Sequence, residues 1–334
     1  MRLRKASQMA DDRSDDVSGG VNDDTGTLLR RVSETIPASL ADVRIDRVVS
    51  LIADVSRNAA AALIESGAVT LDGEVVQAGK EKVATGQHIT VDVSKVAAPE
   101  LPSAESGVPL AVVYEDDDVL VVNKPAGLVV HPGAGNRNGT MVNYLLARYP
   151  EIANVGDPMR PGIVHRLDAG TTGLIAVART QAAYESLVQQ LTSRSVTRVY
   201  SVVVWGNPAS ASGVIDAPLG RDQRDPTRMA VVVDGRPSRT HYVVERAFHT
   251  PKDVSLVECR LETGRTHQIR VHLSSIGHPV VGDAQYGGVR AGLRATRPML
   301  HARELAFDHP RTGERCIVTS ELPTDFAALV AMLS

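Results

Sequence analysis

Residues 162–174 bring His165, Arg166 and Asp168 within four positions, followed by Ala169-Gly170-Thr171-Thr172-Gly173 and a strand-like run from Leu174. A carboxylate on a Gly/Thr-rich loop between two strands is well placed to face a cleft and act as a nucleophile or proton-transfer group. The same residues also read as a tight turn in which Asp168 caps backbone amides, and residue types alone favour that simpler reading. A second segment, Leu261-Glu262-Thr263-Gly264-Arg265-Thr266-His267-Gln268-Ile269-Arg270-Val271-His272-Leu273, reads as a strand end, a turn at Gly264 and an amphipathic helix starting near Thr266. Ile269, Leu273 and Ile276 fit one buried face of that helix. Arg265 stands before it, and pairing with Asp168 would hold that carboxylate ionised and oriented. The plainer alternative makes Arg265, His267 and Arg270 solvent-facing helix residues.

The elements that must position these groups are strand-rich. Strand-like runs occupy 110–114, 119–122, 174–178, 199–204, 229–233, 240–244, 254–261 and 299–306, and helical patterns occupy 141–148, 182–191, 267–276 and 325–333. Strands meet strands through short turns more often than through helices. This predicts an α+β fold around a mixed, mainly antiparallel sheet rather than a doubly wound nucleotide-binding fold. Upstream, Ile45, Val48, Val49 and Ile52 recur at helical spacing, and Ser56 is placed to cap a second helix over 58–65. Val69-Thr70-Leu71, Asp72-Gly73 and Glu74-Val75-Val76 predict a hairpin around a tight Asp-Gly turn, with a last strand over 89–93. The expected organisation is a disordered acidic tail over 1–26, a small compact domain over 27–94, a linker over 95–107 and a main domain over 108–334.

Composition excludes several classes. The 334 residues carry 36 Lys+Arg against 39 Asp+Glu, a formal net charge of −3, with 43% hydrophobic residues. No apolar run approaches the ~20 residues of a membrane span, and the polar start lacks a signal-peptide core, so a cytoplasmic protein is expected. Cys259 and Cys316 form no CxxC pair, which argues against a zinc ribbon or a disulfide framework. The glycines at 133, 135 and 139 miss dinucleotide-fingerprint spacing by one residue, and GxxxxGK[ST], HExxH and GxSxG are absent. No metal is called for by any His, Cys or carboxylate spacing. Of the basic residues 30 are Arg and only 6 are Lys. The overall charge conceals an asymmetry: residues 160–303 hold 19 basic and 11 acidic side chains, whereas residues 27–94 hold 7 and 9. A basic region spanning the two motif segments suits a nucleic-acid partner.

Three ordered motifs carry a resemblance. His165-Arg166-Leu167-Asp168-Ala169-Gly170-Thr171-Thr172-Gly173-Leu174 is flanked upstream by Val121-Val122-Asn123-Lys124-Pro125-Ala126-Gly127-Leu128-Val129-Val130-His131-Pro132 and downstream by Gly264 to His272, with Gly277-His278-Pro279-Val280-Val281-Gly282-Asp283 after it. Over nearly its whole length the chain resembles the RluA/RluD family of RNA pseudouridine synthases. Arg44-Ile45-Asp46-Arg47, Ser56-Arg57, 63–69 and Leu71-Asp72-Gly73 resemble the S-four-like (alpha-L) RNA-binding module. The resemblance implies a pseudouridine synthase fold with a small N-terminal alpha-L domain. It implies isomerisation of uridine in RNA, with large-subunit 23S ribosomal RNA as substrate and a transfer-RNA target or an idle assembly factor as alternatives. It implies Asp168 as the catalytic aspartate, Tyr200 packed against the uracil, and Arg265 paired with Asp168. Arg166 would fill the gap left by the flipped base beside His165, and Arg44, Arg47 and Arg57 would meet RNA. No cofactor is implied, because isomerisation involves no net redox change or hydrolysis, and a monomer suffices. Arg198 stands where the family usually has Lys, two residues before the tyrosine.

Overall fold

The computed structural model describes residues 31–55, 57–95, 101–107, 110–133 and 136–334. The expected tail over 1–26 and the expected cap at Ser56 lie outside these residues. The chain divides into two compact units, 1–99 and 100–334.

The first unit contains β1 (Arg31–Thr35), α1 (Ile45–Ile52), α2 (Arg57–Glu65), β2 (Val69–Leu71), β3 (Glu74–Val75) and β4 (His88–Asp92). Its sheet order is β1-β4-β2-β3. The helical spacing of Ile45, Val48 and Val49 turns all three into a core with Leu63, Ile64, Val69, Ile89 and Val91. The β2–β3 turn has positive φ at both Asp72 (53°) and Gly73 (87°), the geometry whose twist matches a tight hairpin.

The second unit contains β5 (Ala111–Glu115), β6 (Val119–Lys124), α3 (Met141–Arg148), β7 (Thr172–Ala178), α4 (Gln181–Thr192), β8 (Thr197–Trp205), β9 (Ser212–Asp216), β10 (Leu219–Arg221), β11 (Met229–Val231), β12 (Arg239–Phe248), β13 (Val254–Leu261), α5 (Gln268–Ser275), β14 (Leu300–Asp308), β15 (Arg315–Thr319) and α6 (Thr324–Ala331). Its main sheet runs β5-β6-β7-β14-β8-β13-β12-β9, with β15 also on β14, while β10 and β11 form a separate pair. Among the described strands only the β7–β14 pair is parallel. The expected α+β architecture with a mixed, mainly antiparallel sheet is therefore present.

Both faces of the sheet are covered, which explains the nearly unbroken apolar runs of β6 and β7. Leu120, Val122, Ile175 and Val177 pack with Met141, Val142 and Leu145 of α3, whereas Val119, Val121, Leu174 and Ala176 pack with Ala183 and Leu187 of α4. α6 closes a further core through Phe326 and Leu329 against Val203 and Trp205.

Helix α5 departs from the expected amphipathic pattern. Every residue from Gln268 to Leu273 is buried, while Ile276, expected on the inner face, follows the helix and is 38% exposed. Polar partners inside the fold make this possible. Gln268 Nε2 donates to the Arg239 carbonyl and Thr240 Oγ1, and His272 Nε2 donates to the Ala217 carbonyl at 3.0 Å.

Candidate active site

The sheet register brings three segments together. Ala302 of β14 pairs with Gly173 of β7 on one side and Tyr200 of β8 on the other, and Tyr200 in turn pairs with Cys259 of β13. At ~4.8 Å per strand spacing, the loop entering β7 and the tyrosine stand about 10 Å apart. β13 ends at Leu261, and its loop to α5 returns over the same place. Gly173 is required at this junction: its φ is +110°, and a Cβ there would lie 2.2 Å from the Ala302 carbonyl oxygen.

The result is a cavity of about 550 Å³ whose walls include Asp168, Tyr200, Arg198 and Arg265, with His165 and Arg166 from the loop before β7. The structure thus brings five sequence-predicted residues, Asp168, Tyr200, Arg265, Arg166 and His165, to one cavity. Arg44, Arg47 and Arg57 lie in the first unit, at the start of α1, on α1 and at the start of α2, and all three are exposed. Arg44 pairs with Asp46 at 2.5 Å, and Arg57 also contributes to holding the Asp46 carboxyl below its usual range.

The Asp168 side chain is 19% exposed and its ion pair corrects the sequence expectation. The guanidinium that meets it belongs to Arg270, with Nη1 donating to Oδ2 at 3.0 Å. Arg265 is exposed at the cavity wall, and its Nε reaches only the Pro237 carbonyl at 3.5 Å. The cause is Asp283, a fully buried carboxylate that accepts from Arg270 Nε at 2.6 Å and Nη2 at 3.0 Å. This two-point grip draws Arg270 inward from α5 and leaves its third nitrogen aimed at Asp168. The Arg270 guanidinium also lies over the Tyr286 ring at 5.0 Å. The hydrogen bonds and charges of Asp283 and Asp168 outweigh its desolvation and raise its pKa.

His267 approaches the other carboxylate oxygen, with Nε2 3.9 Å from Asp168 Oδ1. It starts α5 in left-handed backbone geometry, φ 56°, and its Nδ1 lies 2.8 Å from Tyr286 Oη. Met229 N–H donates to that same phenol oxygen at 3.1 Å, so Tyr286 ties the His267 ring to β11. Burial lowers the His267 pKa, and the Asp168 charge opposes it.

Several groups fix the Asp168 loop. Lys124 is 0% exposed, and its ammonium donates to the carbonyls of Pro125, Leu128 and Ala169 at 2.9, 2.8 and 3.1 Å. Burial brings its pKa down to about 7 against the opposing pull of Asp168, with Arg297 adding to the depression. Gly127 N–H donates to the Ala169 carbonyl, and Arg297, gripped by Asp325, donates to the Gly170 carbonyl at 3.2 Å. His165 Nε2 accepts the Ala176 N–H at 3.0 Å, tying the loop to β7 where β14 no longer pairs with it. Burial, reinforced by Arg198, lowers His165 to about 3, so it is a neutral acceptor. Arg166 is exposed and makes no hydrogen bond or ion pair among the described residues.

Tyr200 is buried, and burial raises its phenol pKa, with Arg198 opposing and Asp168 reinforcing the rise. Among the described residues one cluster has metal-ligand spacing, Asp116, Asp118 and His309. Tyr114, His309 and Arg311 already engage its carboxylates, and it does not line the cavity. No described helix is long and apolar enough to cross a membrane.

Sequence reasoning passed over Arg270, Asp283, His267, Lys124 and Arg297. The available signal was two potential ion-pair partners for one carboxylate, Arg265 and Arg270, with Asp283 in the downstream motif to discriminate between them.

Residues 118–275 match the RNA pseudouridylate synthase family, and residues 43–89 match the S4 domain. The chain is 45% identical over 291 residues to a Bacillus subtilis (strain 168) protein, the uncharacterized RNA pseudouridine synthase YlyB, across 87% of this chain and 94% of that one. It is 43% identical over 304 residues to the ribosomal large subunit pseudouridine synthase D of Nitrosomonas europaea, across 89% and 86%. The solved structure of human RNA Pseudouridylate Synthase Domain Containing 1 aligns with a TM-score of 0.55 at 31% identity, covering 69% of this chain and 91% of that one.

Proposed function

The chain belongs to the RNA pseudouridine synthase family, and from that premise we propose that it converts uridine to pseudouridine in large-subunit ribosomal RNA with Asp168 as the catalytic carboxylate. The observation that carries the assignment of Asp168 is its place in the cavity, held by a guanidinium that Asp283 has already oriented. The other carboxylate lining the cavity, Glu262, is engaged by Arg194, Arg239 and His241.

The reaction breaks the uridine N1–C1′ bond, turns the uracil, and forms C5–C1′. C5 loses a proton and N1 gains one, so no oxidant, water or cofactor enters the balance. The base must leave its stack to reach the floor of the cavity. Arg166, exposed and unpaired, takes the vacated position. Tyr200 packs against the uracil with its phenol kept protonated by burial, and Arg270 keeps Asp168 ionised and aimed. Arg265 serves the RNA from the wall of the cavity rather than pairing with Asp168. The S4 unit adds binding through Arg44, Arg47 and Arg57. A ribosomal substrate places the protein in the cytoplasm, and a site built from one chain requires only a monomer.

The test is chemical mapping of pseudouridine in ribosomal RNA from cells lacking the gene, rescued by wild type or by Asp168→Asn. Marks absent in the deletion, restored by wild type and not by Asp168→Asn, are expected. Persistence of every large-subunit mark in the deletion strain defeats the rRNA assignment, and full rescue by Asp168→Asn defeats the assignment of the carboxylate.

A further inference from the structure

The cavity holds two buried guanidiniums in opposite circumstances. Arg270 is committed to Asp283 and Asp168. Arg198 is 8% exposed and has no carboxylate partner among the described residues. Its Nε is buried with no hydrogen-bond partner, and its Nη2 makes only a long contact of 3.4 Å to the Glu262 carbonyl. An uncompensated buried cation is costly, and it persists where a ligand completes it. Arg198 and Tyr200 lie two residues apart on β8 and so project from the same face of the sheet into the cavity.

The loop after β13 is shaped around this group. A Cβ on Gly264 would lie 2.7 Å from Arg198 Nη1, the tip of the side chain. Gly264 has no left-handed φ that would itself demand glycine. A side chain at this position would have to displace the guanidinium tip beneath it.

We propose that Arg198 donates hydrogen bonds to a carbonyl oxygen of the target uracil and stabilises the negative charge left on that ring when the N1–C1′ bond breaks, and that Gly264 is kept small to seat it. The inference rests on the isomerisation reading of the Asp168 cavity. When the bond breaks, its electron pair leaves with N1 and spreads to O2 and O4. C5 then bonds to C1′ and gives up its proton, and N1 takes one, so atoms and electrons balance within the nucleotide. A neutral base offers Arg198 only a dipole, whereas the departing base offers a full charge, so the interaction strengthens along the reaction. Buried on the cavity wall beside Tyr200, Arg198 meets the flat base. The exposed Arg160, Arg194 and Arg265 around the cavity are better placed for phosphates.

The experiment uses the full chain and a 23S rRNA transcript carrying tritium at uridine C5, with product formation by wild type and its loss in Asp168→Asn as the prior check. Absence of product from wild type would reject the isomerisation reading itself. Given product, Arg198→Met is expected to lower kcat about 10²–10³-fold with Kd for the transcript within about twofold. Arg198→Lys, which keeps the charge, is expected to stay within about tenfold of wild type. Gly264→Ala is expected to lower kcat about tenfold by displacing the guanidinium tip, and to add nothing to Arg198→Met in the double variant. Gly264→Ala keeps Arg198, so it tests the proposal even where Arg198→Met fails to fold. Unchanged kcat in Gly264→Ala or in folded Arg198→Met overturns the proposal, as does a full Gly264→Ala effect in the double variant. A weaker Kd with a shallower salt dependence and unchanged kcat would make Arg198 a phosphate contact and likewise overturn it.

Discussion

The two units use the same side chain in opposite ways. In the S4 unit Arg44, Arg47 and Arg57 stand in solvent, and the ion pair Arg44 makes with Asp46 is a surface one. In the catalytic unit Arg270, Arg297 and Arg198 are each at most 8% exposed, and the first two hold carboxylates while donating toward the Asp168 loop. A solvated guanidinium supplies screened, sequence-tolerant attraction and costs little to keep. A buried one must be partnered, and its partners then fix where its remaining donors point. On the proposed function this contrast divides RNA capture from the geometry of the reaction, and it can be broken by experiment.

Among changes outside the cavity the largest effect is expected from Asp283→Asn, which removes one charge from the buried Arg270 pair. Turnover should fall about 10²-fold and stability by about 3 kcal/mol, read by single-turnover kinetics and denaturant melts. Wild-type turnover in a folded Asp283→Asn protein would remove Asp283 from the geometry of the site. A smaller effect should appear with acid. Burial depresses the folded pKa of His165 to about 3, well below the ordinary imidazole value of about 6.5, so the unfolded chain takes up this proton first as pH falls. The stability contributed by the neutral imidazole is complete above pH 6.5 and is progressively lost from there toward pH 3. His165→Gln, which retains an acceptor for Ala176, should flatten the decline between pH 6.5 and 4.5 by on the order of 1 kcal/mol, measured by urea unfolding at each pH. An unchanged slope would show that this histidine does not set the acid limit. The smallest structural effect should come from replacing Arg44, Arg47 and Arg57 together by Ala. Stability should change by less than about 0.5 kcal/mol per site and kcat not at all. The salt slope of RNA binding should drop by about 2. A fall in kcat at saturating RNA would mean that the two units are not separable in this way.

The sequence patterns were informative where burial is periodic or continuous. α3 and β13 lie within the bounds their apolar patterns predict, whereas the loop composition around Asp168 alone favours a capped turn and only its motif singles the residue out. β1 was not visible because four of its five residues are exposed and it is held by backbone pairing to β4. β15 was obscured for a similar reason, with exposed alternate residues and Cys316 and Val318 facing inward. In the site, the place of Arg265 just before the helix and the resemblance pointed to the wrong arginine for Asp168, and the rule that charged helix residues face water put Arg270 in solvent. Arg270 turns inward because a carboxylate 13 positions away is itself buried, and helical periodicity carries no information about such a partner.

Lys124 gives this arrangement a practical use. The chain has 6 lysines, and Lys80, Lys82, Lys95 and Lys252 are exposed whereas the Lys124 amine sits among three carbonyls with no exposed surface. Amine-reactive acylation followed by peptide mass spectrometry therefore reads the integrity of the Asp168 loop at a single position. The exposed lysines label at once, and Lys124 labels only as fast as the loop around it opens.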